Sequence, residues 1–118
     1  MPVERELVLP VERAEAWRLV TDERELARWL APEVELDPVV GGAIATEQRD
    51  GRVHLGVVEE LVEGERIAFR WCDLEGGGES TVEIDLADVE GGTRITVVET
   101  GVSALAGSAV RLPVFATA

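Results

Sequence analysis

The side chains that could carry acid–base or nucleophilic chemistry are few in this sequence. His54 is its only histidine and Cys72 its only cysteine. A histidine cluster around a metal ion is therefore excluded, and a Ser-His-Asp triad could use His54 alone. His54 lies in the alternating segment RVHLGVV, so it faces either a groove, as a general base, or the solvent, as an ordinary strand histidine. Cys72 has no thiol to pair with, and we expect a small buried thiol.

Carboxylates are abundant, with 24 acids against 11 bases and a net charge of -13. Glu83 and Asp85 share one face of a strand, but that face is polar, which indicates a solvated surface rather than an acid–base pair. The segment DLEGGGE lacks the alternating acids of a calcium loop, and no helix follows its glycines to bind a phosphate. The residues therefore indicate no metal, no cofactor and no assigned catalytic residue, which does not favour an enzyme.

The charge also limits the partners. Every base is an arginine, so lysine Schiff-base chemistry and a Walker-type phosphate lysine are excluded. The negative field repels nucleic acid and anionic membranes. No apolar stretch approaches the roughly 20 residues that cross a bilayer, and the start MPVERELVLP lacks a cationic signal region. We expect one cytoplasmic domain spanning residues 1–118.

The first third of the chain predicts a strand and two short helices. Residues 3–9 alternate as a strand does, and Pro10 ends them. Apolar residues recur at helical spacing over residues 11–20. Asp22 is a suitable N-cap for a second helix over residues 23–30, with Glu25 completing an approximate capping box.

The rest of the chain up to residue 101 predicts an antiparallel meander. Five strand candidates follow one another: AIATEQR, RVHLGVVEELV, RIAFRWCD, STVEIDLAD and TRITVVET. Short glycine turns separate them, so neighbours must be antiparallel, and the N-terminal strand brings the count to six. Alternation predicts one shared apolar face, formed by Ile67, Phe69, Trp71, Val82, Ile84, Leu86, Ile95 and Val97. The helices must cover that face.

Several motifs together resemble a known superfamily. They are AEAWRLVTDERELARWL, DPVVGG, GVVEEL, RIAFRW and GGTRITVVETG. The chain resembles the START-like superfamily, also called SRPBCC or birch-pollen-allergen-like, and within it the branch of homologues of the activator of the heat-shock-protein ATPase. The resemblance covers about residues 3–101 and implies the α+β helix-grip fold. In that fold a curved antiparallel sheet, here of six strands, grips a C-terminal helix, and two short helices after strand 1 plug one end of the groove.

The C-terminal segment departs from this pattern. Residues 102–118 contain Gly107 and Pro113 and a single charge, Arg111, so they predict an atypical, shortened helix at most. Part of the apolar sheet face would then stay uncovered. A homodimer would bury it, and a truncated or altered chain end explains the same observation.

The resemblance implies a binding module for a hydrophobic small molecule, lipid-like or polyketide-like. The candidate groove-lining residues are Trp71, Phe69, Ile84, Val97, Ile44, His54, Glu99 and Trp29, each either ordinary core or ligand contact. Trp29 either seals the helical plug or touches the ligand. Two alternatives stay open: a co-chaperone-like protein-interaction module linked to stress response, and a cyclase or isomerase.

Overall fold

The sheet and two helices are seen in a computed structural model, which describes residues 2–75 and 78–101. The elements in chain order are β1 Val3–Leu9, α1 Arg13–Thr21, α2 Glu23–Trp29, β2 Glu33–Leu36, β3 Ala43–Glu47, β4 Val53–Val62, β5 Arg66–Asp73, β6 Gly78–Val89 and β7 Gly92–Gly101. The strands form one antiparallel sheet in the order β1-β7-β6-β5-β4-β3-β2. A curled antiparallel sheet with two helices fits the helix-grip α+β fold, as the sequence predicts.

The number of strands differs from the prediction. Within the described residues the sheet has seven strands rather than six, because residues 33–36 form β2. This stretch lies between Pro32 and Pro38 and is not among the six strands that the sequence predicts. Four residues are too few to show a clear alternation, and β2 is held by its antiparallel pairing with β3. The backbone N–H of Leu36 also donates to a carboxylate oxygen of Glu23 at 2.8 Å.

The junction of the two helices is built around Asp22. Its side chain accepts hydrogen bonds from the backbone N–H groups of Arg24 at 2.8 Å and Glu25 at 3.3 Å, which confirms the predicted N-cap. The reciprocal half of the capping box is absent, because the Asp22 N–H donates to the carbonyl of Arg18 at 2.9 Å and so closes α1. The Glu25 carboxylate instead accepts from Arg18 and Arg28.

The predicted apolar face is the inner face of the sheet. All eight of its residues are buried, and residues of both helices join them in one hydrophobic cluster. The outer face is polar: Arg66 of β5 donates to Asp85 and Glu83 of β6 and to Glu60 of β4. The alternation of these strands is therefore confirmed by the structure.

Some predictions fall outside the described residues. The shortened C-terminal helix belongs to residues 102–118, and the tip of the glycine-rich hairpin includes residues 76–77. The two helices of the described part of the chain have nine and seven residues, and neither could span a membrane.

Candidate ligand-binding site on the inner face of the sheet

The inner face has an apolar part and a polar part. Near α1 the face is closed by Thr93 at the start of β7, whose hydroxyl donates to the carbonyl of Val11 at 2.9 Å. Apolar side chains such as Ile84 and Ile95 follow. At the other end of the strands the inward positions become polar; they are Thr46, His54, Asp73, Ser80 and Glu99, all buried.

The strand register brings these polar residues together. Thr46 of β3 lies opposite His54 of β4, and His54 lies opposite Asp73 of β5. Two positions further along β5 and β4, Trp71 lies opposite Gly56, and Trp71 also pairs with Ser80 of β6. Residues far apart in sequence therefore share one corner of the groove, because each hairpin returns an inward-facing side chain to its neighbour.

Three aromatic rings form the floor of this corner. The His54 and Trp71 ring centroids are 4.4 Å apart with the planes tilted by 34°. Phe69 meets Trp71 edge-to-face at 5.0 Å and 69°. Gly56 permits this arrangement, since a Cβ on it would lie 2.6 Å from Trp71 Cβ and 2.1 Å from the Arg70 carbonyl oxygen.

Several buried polar atoms in this corner have no hydrogen-bond partner among the residues that the structure describes, and three of them lie on neighbouring side chains. These three are Thr46 Oγ1, His54 Nδ1 and Trp71 Nε1. We call these three residues the polar patch. A buried polar atom left without a partner costs about 1–3 kcal/mol, so such atoms are rare unless a water or ligand satisfies them. Nearby Asp73, Ser80 and Glu99 each have partners of their own.

His54 is 1% exposed, so it faces the groove and the solvent-facing alternative is wrong. Burial lowers the pKa of His54 below its ordinary value of 6.5, and the carboxylates of Asp73 and Glu99 oppose that shift only in part. The imidazole is therefore neutral at pH 7. In this form one ring nitrogen donates and the other accepts.

The structure brings together seven of the eight candidate groove residues. Trp71, Phe69, Ile84, Val97, Ile44, His54 and Glu99 all lie on the inner face and are buried. Trp29 lies on α2 rather than on the sheet, and its indole N–H donates to the Leu19 carbonyl at 3.1 Å. Trp29 also helps to line a surface cleft of about 410 Å³ with Gln48 and Arg49. The hydrogen bond from Trp29 to Leu19 ties α2 to α1, and the role of Trp29 in sealing the plug stays a prediction.

Four further positions differ from the sequence analysis. Thr46, Asp73 and Ser80 were missed, although each is in phase with apolar neighbours, as Thr46 is with Ile44. That phase is the signal by which they could have been found. Cys72, expected to be buried, is only partly so, because it lies between the inward-facing Trp71 and Asp73 and so faces outward.

Among the described residues, no three His, Cys, Asp or Glu side chains are grouped so that they could hold a metal ion. The polar patch contains two hydrogen-bonding side chains that can donate or accept and one that only donates, beside apolar walls. Such an arrangement can orient an uncharged organic molecule.

Comparisons with known proteins agree with the fold. The family model described as "Activator of Hsp90 ATPase homolog 1-like protein" matches residues 10–111. A comparison with curated proteins finds no match.

Solved structures share the fold. DynU16, a protein in the dynemicin biosynthetic locus, has a TM-score of 0.75 and 26% identity over 84% of this chain, which spans only 36% of DynU16. Protein CV1439 from Chromobacterium violaceum has a TM-score of 0.73 and 24% identity, covering 86% of this chain and 79% of its own. The Aha1 dimer from Colwellia psychrerythraea has a TM-score of 0.69 and 16% identity, covering 85% and 75%.

Proposed function

The chain belongs to the family of Activator of Hsp90 ATPase homolog 1-like proteins, and on that premise we propose that it binds a hydrophobic small molecule against the inner face of its sheet. The ligand is lipid-like or polyketide-like, and the contacts come from the apolar inner-face residues together with the polar patch. Ligand sites are mostly apolar concavities with a few polar groups that fix orientation, and this inner face has that composition.

One observation supports this function above the others: the unpartnered buried atoms of the polar patch. Three neighbouring buried polar atoms without partners would destabilise a core whose role is only structural. Hydrophobic side chains in their place would avoid the desolvation cost. A guest molecule with polar groups removes that cost when it binds. DynU16 also supports this proposal, because it is a structurally similar protein that belongs to a biosynthetic locus.

The test is a screen of uncharged aromatic and lipid probes by melting temperature and tryptophan fluorescence. A ligand that binds only the folded state at 100 times its Kd stabilises it by about 2.7 kcal/mol. We expect Trp71→Phe to weaken binding, because this ring lies in the proposed site. Trp17→Phe is the matched control, since Trp17 lies on α1, away from the polar patch. Flat responses throughout the library would contradict the function.

A protein-interaction function resembling a co-chaperone is the second candidate, because the description of the matching family favours it. The loop before β3 supplies an exposed apolar contact, since Val39 and Val40 are 51% and 65% exposed. The purified protein is added to an Hsp90 and the ATPase rate is measured, with a Val39→Ser, Val40→Ser double variant as the control. An unchanged rate with the natural protein excludes this candidate.

A further inference from the structure

We propose that the polar patch selects ligands that carry a carbonyl oxygen on an uncharged aromatic skeleton, with the indole N–H of Trp71 as the donor to that oxygen. This inference rests on the proposed function and adds the chemical class of the ligand.

The donor requirement comes from Trp71. An indole nitrogen can only donate a hydrogen bond, and a buried tryptophan N–H usually has an acceptor. Trp71 is 1% exposed, and its Nε1 has no acceptor among the described residues. The missing partner must therefore be an acceptor atom, and in an organic ligand that atom is most simply an oxygen.

The other two members of the polar patch can also donate a hydrogen bond to the same oxygen. The Thr46 hydroxyl and the neutral His54 imidazole can each donate or accept. The His54 and Trp71 rings are in contact, with centroids 4.4 Å apart, so both side chains belong to the same corner of the inner face. A carbonyl oxygen has two lone pairs, so it can accept from Trp71 and from one of these two side chains at the same time.

The charges nearby exclude anionic ligands. Asp73 and Glu99 are buried beside His54, and the chain carries a net charge of -13. A carboxylate or phosphate in this corner would meet repulsion at low dielectric, where charge interactions are strongest. An uncharged carbonyl meets the donor requirement without that repulsion.

The aromatic rings and the apolar side chains of the inner face favour an aromatic ligand skeleton. His54, Trp71 and Phe69 present three adjacent aromatic rings, which favour an aromatic guest through stacked or edge-to-face contacts. Beyond them lie apolar side chains such as Val82 and Val97. A ligand with its carbonyl at one end and an extended apolar ring system at the other matches both parts of the face.

The experiment compares three probes of nearly equal size: 2-acetylnaphthalene, 2-ethylnaphthalene and 2-naphthoate. Dissociation constants are measured by calorimetry for the natural protein and for Trp71→Phe, Thr46→Val and Trp17→Phe. We expect the ketone to bind about tenfold more tightly than the ethyl compound, which is the effect of one hydrogen bond, and the carboxylate to bind most weakly. The ratio should fall towards one in Trp71→Phe and stay unchanged in Trp17→Phe.

The outcomes separate this inference from the proposed function. Equal binding of the ketone and the ethyl compound overturns the inference, since waters then satisfy the polar patch, but it leaves hydrophobic ligand binding intact. A tenfold ratio that persists in Trp71→Phe also overturns it. No binding of any probe removes the proposed function together with the inference.

A second measurement does not depend on the variants folding. In the natural protein, the indole N–H resonance of Trp71 should move downfield with 2-acetylnaphthalene and not with 2-ethylnaphthalene. The same displacement with both compounds contradicts a hydrogen bond to the carbonyl.

Discussion

At the scale of single residues, the pKa of His54 reflects its burial in the folded protein. This histidine is the only titratable residue of the polar patch, and burial holds its pKa below 6.5 in the folded protein. In the unfolded chain the same imidazole is hydrated and titrates normally. Its protonation therefore couples to folding, as well as to any ligand that needs the neutral ring.

The first prediction concerns the pH dependence of stability. As the pH falls below about 6.5, the unfolded state takes up a proton at His54 before the folded state does, so the free energy of unfolding decreases. The loss ends once the pH passes below the lowered folded pKa, and its slope cannot exceed about 1.4 kcal/mol per pH unit.

Urea unfolding of the natural protein and of His54→Gln, compared from neutral pH downwards, measures this contribution. The variant should lack the part of the slope that His54 causes, while the carboxylates contribute equally to both proteins. Parallel curves would mean that His54 keeps an ordinary pKa in the folded state.

At the scale of elements, Gly56 of β4 leaves no room for a side chain against β5. A second prediction is that Gly56→Ala destabilises the protein by about 1–3 kcal/mol, the usual cost of forcing an extra group into a packed site. The new Cβ would lie 2.1 Å from the Arg70 carbonyl oxygen, so the backbone must move. Leu55→Ala, on the outer face of the same strand, is the control and should change stability by about 0.5 kcal/mol or less. Equal effects in thermal unfolding would contradict this account.

A third prediction concerns the start of α2. Asp22→Ala should cost about 1 kcal/mol, because the backbone N–H groups of Arg24 and Glu25 lose their acceptor. The matched control is Glu12→Ala, since Glu12 occupies the N-cap of α1 without a side-chain hydrogen bond. Chemical denaturation should show a loss for the first variant only; similar losses would show that the cap is not the cause.

At the scale of the whole molecule, the net charge of -13 opposes self-association. The fourth prediction is that the protein forms a homodimer whose population increases with salt. The Debye length falls from about 30 Å at 0.01 M to about 8 Å at 0.15 M, which weakens the repulsion between copies. Light scattering over a range of concentrations measures the mass; a monomer at every concentration and salt level would rule out the dimer. The dimeric Aha1 structure shares only the fold, so it does not decide this question.

The candidate site was predictable from the sequence only in part. Alternation placed Phe69, Trp71, Ile84 and Val97 on one face, because the side-chain period of a strand is a local property of the chain. It left the orientation of His54 open, since the segment RVHLGVV places apolar residues on both faces of the strand. It also overlooked Thr46, whose burial follows from its pairing with β4.

The sequence by itself determined the helix pair, the inward face of the long strands and the acidic surface, because period, capping and charge are properties of neighbouring residues. The tertiary structure alone decided that residues 33–36 pair as β2, that His54 points inward, and that Thr46, His54 and Trp71 meet in one corner. These facts depend on the register between neighbouring strands, and register is fixed by the turns and by which side chains become buried, not by the order of the strands along the chain.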